Sequence, residues 1–169
     1  MKTSTIHKFA TTWTVTLTPE EIVERAQLRA TEAHELAKMY AFMHCWTKAT
    51  TTWIAELEDG ETAEGPVGSE GGNLVNAVAR WVAQYWPAED LGLLCYMPKL
   101  VTGPQARSFI WEQDRYHKYY VQQNQGAAFA EGDELDFTLI VRAVPGETGD
   151  WSATKAAVEE LRERYPAED

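Results

Sequence analysis

The sequence predicts an α+β fold: one domain over residues 1–169, with an antiparallel or mixed sheet of about four or five strands, a long N-terminal helix and two or more further helices. Three observations lead there. A helix-like apolar period runs without Gly or Pro from Ile22 to Trp46. Strict alternation marks strands near 11–17, 50–58 and 134–144. A capped amphipathic segment closes the chain from Ser152.

Residues 5–17 read as the first strand, with Trp13, Val15 and Leu17 on one face. Thr18 then has the features of an N-cap, Pro19 suits a first helical position, and Glu21 stands at capping-box spacing. Apolar residues recur at Ile22, Val23, Ala26, Ala30, Ala33, Ala37, Tyr40, Met43 and Trp46, while Glu24, Arg25, Glu32, Glu35 and Lys38 take the other side. A helix of about 28 residues, ~42 Å long, is expected.

Residues 50–58 are the next strand, and Asp59-Gly60 signals a two-residue hairpin. The return over Glu61–Glu64 is short and charged, as suits a sheet edge. Residues 65–72 hold four glycines and one proline. They read as a flexible loop, because neither Lys-Ser/Thr nor G-x-G-x-x-G spacing follows and acidic neighbours repel phosphate. Asn73 caps an expected second helix to Tyr85, whose wide stripe (Leu74, Val75, Val78, Val82, plus Trp81 and Trp86) calls for burial on more than one side. Residues 91–97 fit a buried strand or a helical turn, and periodicity does not decide between them. For residues 104–122 helix and strand patterns compete; the expectation is a helical start and an extended segment near Tyr119–Gln122. Residues 134–144 alternate as a strand between Gly132-Asp133 and Pro145-Gly146. The last helix covers Ala153–Tyr165, with Ala156, Val158 or Ala157, Leu161 and Tyr165 inward, and residues 166–169 fray. The stretch FAEGDELDFTLIVRAVP (129–145) resembles a strand of some CRISPR RNA-processing proteins.

Composition narrows the function. The net charge of −11 is concentrated in residues 56–72 and 131–169, which carry −6 and −7. Direct nucleic-acid binding and anionic membranes are thereby disfavoured, since both need clustered Lys and Arg. No apolar run is long enough to span a bilayer, and the first residues lack a signal-peptide core. Cys45 and Cys95 sit among apolar neighbours and read as free buried thiols of a reducing, cytoplasmic compartment.

The four histidines His7, His34, His44 and His117 make no metal-binding spacing, and no cofactor motif is present. His44 and Cys45 are adjacent and diverge on a helix, so they form no nucleophile–base pair. The densest polar-aromatic cluster is Trp111, Glu112, Asp114, Arg115, Tyr116, His117, Lys118, Tyr119 and Tyr120, with Trp111, Arg115, Tyr116, His117 and Tyr119 as its candidate contact residues. It suits core packing, a protein-binding surface or a ligand pocket with His117 as acid or base. The expected function is a non-catalytic acidic binding or regulatory module. It would dock on a protein through that cluster and through Glu56, Glu58, Glu61 and Glu64, as an antagonist of a basic nucleic-acid-binding protein. The alternatives are a small-molecule binder or enzyme with a pocket near His117, and a structural subunit of an assembly.

Overall fold

A computed structural model describes residues 8–36, 39–47, 52–66, 78–100, 107–112, 116–123, 127–146 and 150–168; for residues 36, 39–47, 107, 109, 111–112 and 116–123 the description is of backbone only. The expected long N-terminal helix is not there. Strand β1 (Phe9–Leu17) turns back into strand β2 (Glu21–Ala30), in full antiparallel register from Leu17↔Ile22 to Phe9↔Ala30. Strands β3 (His34–Leu36) and β4 (Met39–Thr47) take up the rest of the segment.

The reason lies in which faces are covered. Along β2, Glu21 and Val23 are buried on one face, whereas Ala26 and Ala30 are buried on the other. A strand that changes its covered face midway spaces its buried residues three and four apart, which imitates a helix. The Thr18 cap chemistry is also real but serves a turn. Its Oγ1 accepts the backbone N–H groups of Glu20 and Glu21, while its own N–H donates to the Glu21 carbonyl at 2.9 Å.

Strands β5 (Thr52–Leu57) and β6 (Thr62–Pro66) form the expected hairpin, with β6 at the edge. Leu57 and Glu61 are joined by a backbone hydrogen bond of 2.8 Å, so Glu58–Gly60 is a three-residue loop rather than a two-residue one. Gly60 supplies the positive φ (+83°) that such a loop needs. The expected second helix is instead strand β7 (Ala79–Trp86); residues 73–77 lie outside the described residues. Its wide apolar stripe does report two-sided burial, but of a central strand. Trp81, Ala83 and Tyr85 pack on one side of the sheet and Val82 on the other.

Residues 91–96 resolve to strand β8 (Leu91–Tyr96) after a short 3-10 turn, Pro87–Glu89. The contested aromatic segment is two strands, β9 (Arg107–Glu112) and β10 (Tyr116–Gln123), with no helical start within 107–112. β11 (Ala127–Phe129) pairs with β3, and β12 (Glu134–Pro145) matches its expected strand.

The large sheet is antiparallel, in the order β1-β2-β12-β8-β7-β5-β6. A second sheet has the order β4-β10-β9. On one face of the large sheet, Ala26, Trp53, Ala55, Val82, Cys95, Phe137 and Leu139 form a core joined by Ile110 of β9. On the other, helix α1 (Ser152–Arg164) lays Ala157, Val158 and Leu161 over Val23, Ile54, Trp81, Leu94 and Ile140. α1 is the helix expected from the sequence, with two local differences. Ala156 is exposed and Thr154 buried. Ser152 is itself the first helical residue, after Trp151 at the N-cap position, and its N–H donates to Asp150 Oδ1 at 3.0 Å in the turn that leads into the helix. So the fold is mostly sheet with one helix among the described residues, in place of several helices on a four- or five-stranded sheet.

Candidate ligand cleft

Register places a lattice of side chains on the α1 face of β1, β2 and β12. Successive cross-strand rows are Thr16–Val23–Ile140, Thr14–Arg25–Thr138, Thr12–Gln27–Asp136 and Ala10–Arg29–Glu134. Residues two apart along a strand share a face, so all four rows look the same way. α1 covers Val23 and Ile140. The helix then ends, and the next two rows floor a cleft of about 700 Å3, walled by Pro98, by Arg164 at the end of the helix and by Tyr165 and Glu168 just beyond it. A smaller hollow of about 370 Å3 continues over the fourth row, where Arg29 and Glu134 stand 4.0 Å apart.

The wall is held by a buried carboxylate. Glu21 is only 3% exposed. It accepts hydrogen bonds from Arg164 Nη1 at 2.7 Å and from the Tyr165 hydroxyl at 3.1 Å, and Arg142 approaches to 3.9 Å. Arg142 also pairs with Glu160 of α1 at 2.7 Å. These bonds leave a mark on the titrating groups. Glu21 beside Arg164 raises the guanidinium's pKa. Burial first, then the bond to Glu21, raises that of the Tyr165 phenol. The Tyr96 hydroxyl donates to the Tyr165 carbonyl at 3.0 Å, and burial raises its pKa too. The Glu168 N–H donates to the Pro98 carbonyl at 3.0 Å, which ties the segment after α1 back to the sheet.

The floor, by contrast, has bonding capacity to spare. Arg25, Gln27 and Asp136 make no side-chain hydrogen bond or ion pair among the described residues. Arg25 is flanked by two threonine positions, Thr14 and Thr138. A guanidinium between two hydroxyls supplies donors in a plane and on either side, a set that suits a carboxylate or phosphate. One row on, Gln27 and Asp136 can accept from hydroxyl or amino groups. The two rows lie about 7 Å apart along the strands. Among the described residues no group of His, Cys, Asp or Glu could hold a metal ion.

The residues singled out from sequence are placed elsewhere. Trp111 lies on β9, and Tyr116, His117 and Tyr119 on β10; His117 is in backbone register with Glu112 and Trp46. Their side chains, and Arg115 entirely, lie outside the described residues. Glu56 is bound internally: its carboxylate takes the Trp81 Nε1–H at 3.0 Å and an ion pair from Arg162, which also reaches Glu159. Burial opposes the charge on Arg162, but these two carboxylates outweigh it and its pKa is raised. Glu58, Glu61 and Glu64 are exposed around the β5–β6 hairpin. Cys95 is a buried free thiol whose pKa burial pushes well up. Sequence reasoning missed Arg25, Gln27 and Asp136. The alternation Thr12-x-Thr14-x-Thr16 was the available signal that one face of β1 is polar.

No protein-family model matches the chain, and no curated protein does. Two solved structures are similar in chain course. One is a putative aldose 1-epimerase from Escherichia coli K12, with a TM-score of 0.48 and 11% identity over 80% of this chain and 60% of that one. The other is the Slr1438 protein of Synechocystis sp. PCC 6803, with a TM-score of 0.44 and 8% identity over 82% of this chain and 55% of that one. The chain thus spans less than two thirds of either. The acidic docking module expected from the sequence is corrected by the fold: Glu56, one of its four acidic docking residues, is bonded internally to Trp81 and Arg162. No helix among the described residues is long and apolar enough to cross a membrane.

Proposed function

We propose that this chain binds a small polar molecule bearing an acidic group, in the cleft beyond the C-terminal end of α1. The observation that supports this most is the row Thr14–Arg25–Thr138, an arginine between two hydroxyl side chains on the floor of a cleft of about 700 Å3. Volumes of several hundred Å3 suit small ligands. The row Thr12–Gln27–Asp136 then adds hydrogen-bond partners for hydroxyl or amino substituents.

The test is a titration of the protein with gluconate and 3-phosphoglycerate, against their uncharged counterparts glucitol and glycerol, followed by calorimetry and by the thermal unfolding midpoint. The acids should bind and raise the midpoint. Arg25→Gln should weaken them about tenfold or more, because it removes charge-assisted hydrogen bonds. Binding of the uncharged compounds as strongly as the acids, or equal binding by Arg25→Gln, would count against the proposal.

A further inference from the structure

The charges that line the cleft are not those of a simple anion receptor. Arg25 and Asp136 stand on its floor, Arg164 and Glu168 on its wall. Arg164 already has a counter-charge, since its Nη1 donates to the buried Glu21 carboxylate at 2.7 Å. That leaves a single cation, Arg25, against the carboxylates of Asp136 and Glu168. None of these three side chains makes a hydrogen bond or an ion pair among the described residues. Arg25 and Asp136 occupy successive rows of the same sheet face, Arg25 opposite Thr138 and Asp136 opposite Gln27. Such diagonal neighbours lie about 7–8 Å apart, within reach of long side chains. Yet the two opposite charges do not pair with each other. Arg25 stays between Thr14 and Thr138, and Asp136 beside Gln27.

We propose, resting on the acid-binding reading of this cleft, that its ligand is a zwitterion: a small molecule whose acidic group lies on Arg25 and its two threonines and whose ammonium group lies on Asp136, with Glu168 on the wall beside it. A ligand with an acidic group alone satisfies Arg25 but brings its negative charge close to Asp136 and Glu168, which oppose it. The whole chain adds to that opposition, because its net charge of −11 repels anions on approach. An ammonium group on the same ligand turns both effects around. It offers three donors, for Asp136, for the Gln27 side-chain carbonyl oxygen and for Glu168, and each bond to a carboxylate is charge-assisted. A hydroxyl in the same place offers one neutral donor. The ligand class is therefore that of amino acids and amino sugar acids, in preference to the corresponding hydroxy acids.

The experiment is calorimetric titration at fixed ionic strength with two matched pairs: 3-phosphoglycerate against O-phosphoserine, and gluconate against 2-amino-2-deoxygluconate. Within each pair one hydroxyl is exchanged for an ammonium and the rest of the skeleton is kept. The amino compounds should bind about tenfold or more tightly than their hydroxy partners. Asp136→Asn should remove most of that preference by weakening the amino compounds, while leaving the hydroxy acids bound as before or more tightly. Glu168→Gln should reduce the preference by a smaller factor. Amino and hydroxy acids that bind equally, in a manner that Arg25→Gln abolishes, overturn the zwitterion and leave the acid-binding reading standing. A preference that Asp136→Asn leaves whole also overturns it. Binding of none of the four compounds removes both readings together. The comparison on the wild-type chain decides against the proposal even if Asp136→Asn does not fold.

Discussion

The helix-covered half of the β2 face and its open half share strands, register and direction, and differ in what stands above them. Under α1 the row positions are Val23 and Ile140, backed by Leu161 and Val158. At the helix end comes one charged cluster whose carboxylate, Glu21, is nearly fully enclosed and bonded to two groups just beyond the covered rows. Beyond the Val23–Ile140 row, on the side away from Glu21, the same positions become Arg25, Thr138, Gln27 and Asp136, with no partner among the described residues. A buried carboxylate must be matched or its desolvation is not recovered. An exposed one can stay unmatched in water, available to something else. The comparison teaches that α1 divides one sheet face into a packed part and a receptive part, while Glu21, one row behind Val23, ties the end of the helix to the sheet.

The largest expected effect comes from breaking the packed part. Leu161→Ala deletes a fully buried side chain between α1 and the sheet and should cost about 2–5 kcal/mol in urea unfolding. Because the cleft wall continues from α1, ligand binding should fall with it. Glu21→Gln, under the end of α1, should cost about 2–3 kcal/mol, since it removes the charge that two hydrogen bonds and Arg142 converge on. A loss below about 0.5 kcal/mol would show that the Glu21 cluster is not structural.

A pH series sharpens the same comparison. Tyr96 and Tyr165 have raised pKa values in the folded chain. A phenol that holds its proton more tightly when folded contributes stability that is complete below the ordinary tyrosine value of about 10. That stability is lost as pH rises through the raised values. Stability should therefore fall on the alkaline side, and Tyr96→Phe, less stable at neutral pH, should show a shallower alkaline fall. Denaturation midpoints that stay flat there would contradict the assignment. The smallest stability effects belong to the open half. Arg25→Gln and Asp136→Asn should leave unfolding within about 0.5 kcal/mol of the wild type, since neither side chain is bonded to another among the described residues.

The same face explains what could be read in the sequence. β1, the β5–β6 hairpin with its charged edge, β12 and α1 were legible, because each keeps one periodicity and one pair of boundary signals along its length. β2 was not, because α1 covers its first half on one face and the core covers its second half on the other. β7 was not, because a strand buried on both faces shows no alternation at all. The cleft was hidden for a related reason. Arg25 and Gln27 look like ordinary solvent-side residues of a helix until β1 and β12 bring two threonines and Asp136 into line with them. That alignment depends on pairing over more than a hundred residues of sequence, which no local pattern carries.

The most direct measurement is the backbone amide NMR spectrum of the wild-type chain titrated with gluconate. The account predicts shifts concentrated at Thr12–Thr14, Arg25–Gln27 and Asp136–Thr138, with the α1 residues over Val23 and Ile140 unmoved. Shifts confined to β9 and β10, around His117, or no shifts at saturating gluconate and 3-phosphoglycerate, would contradict it.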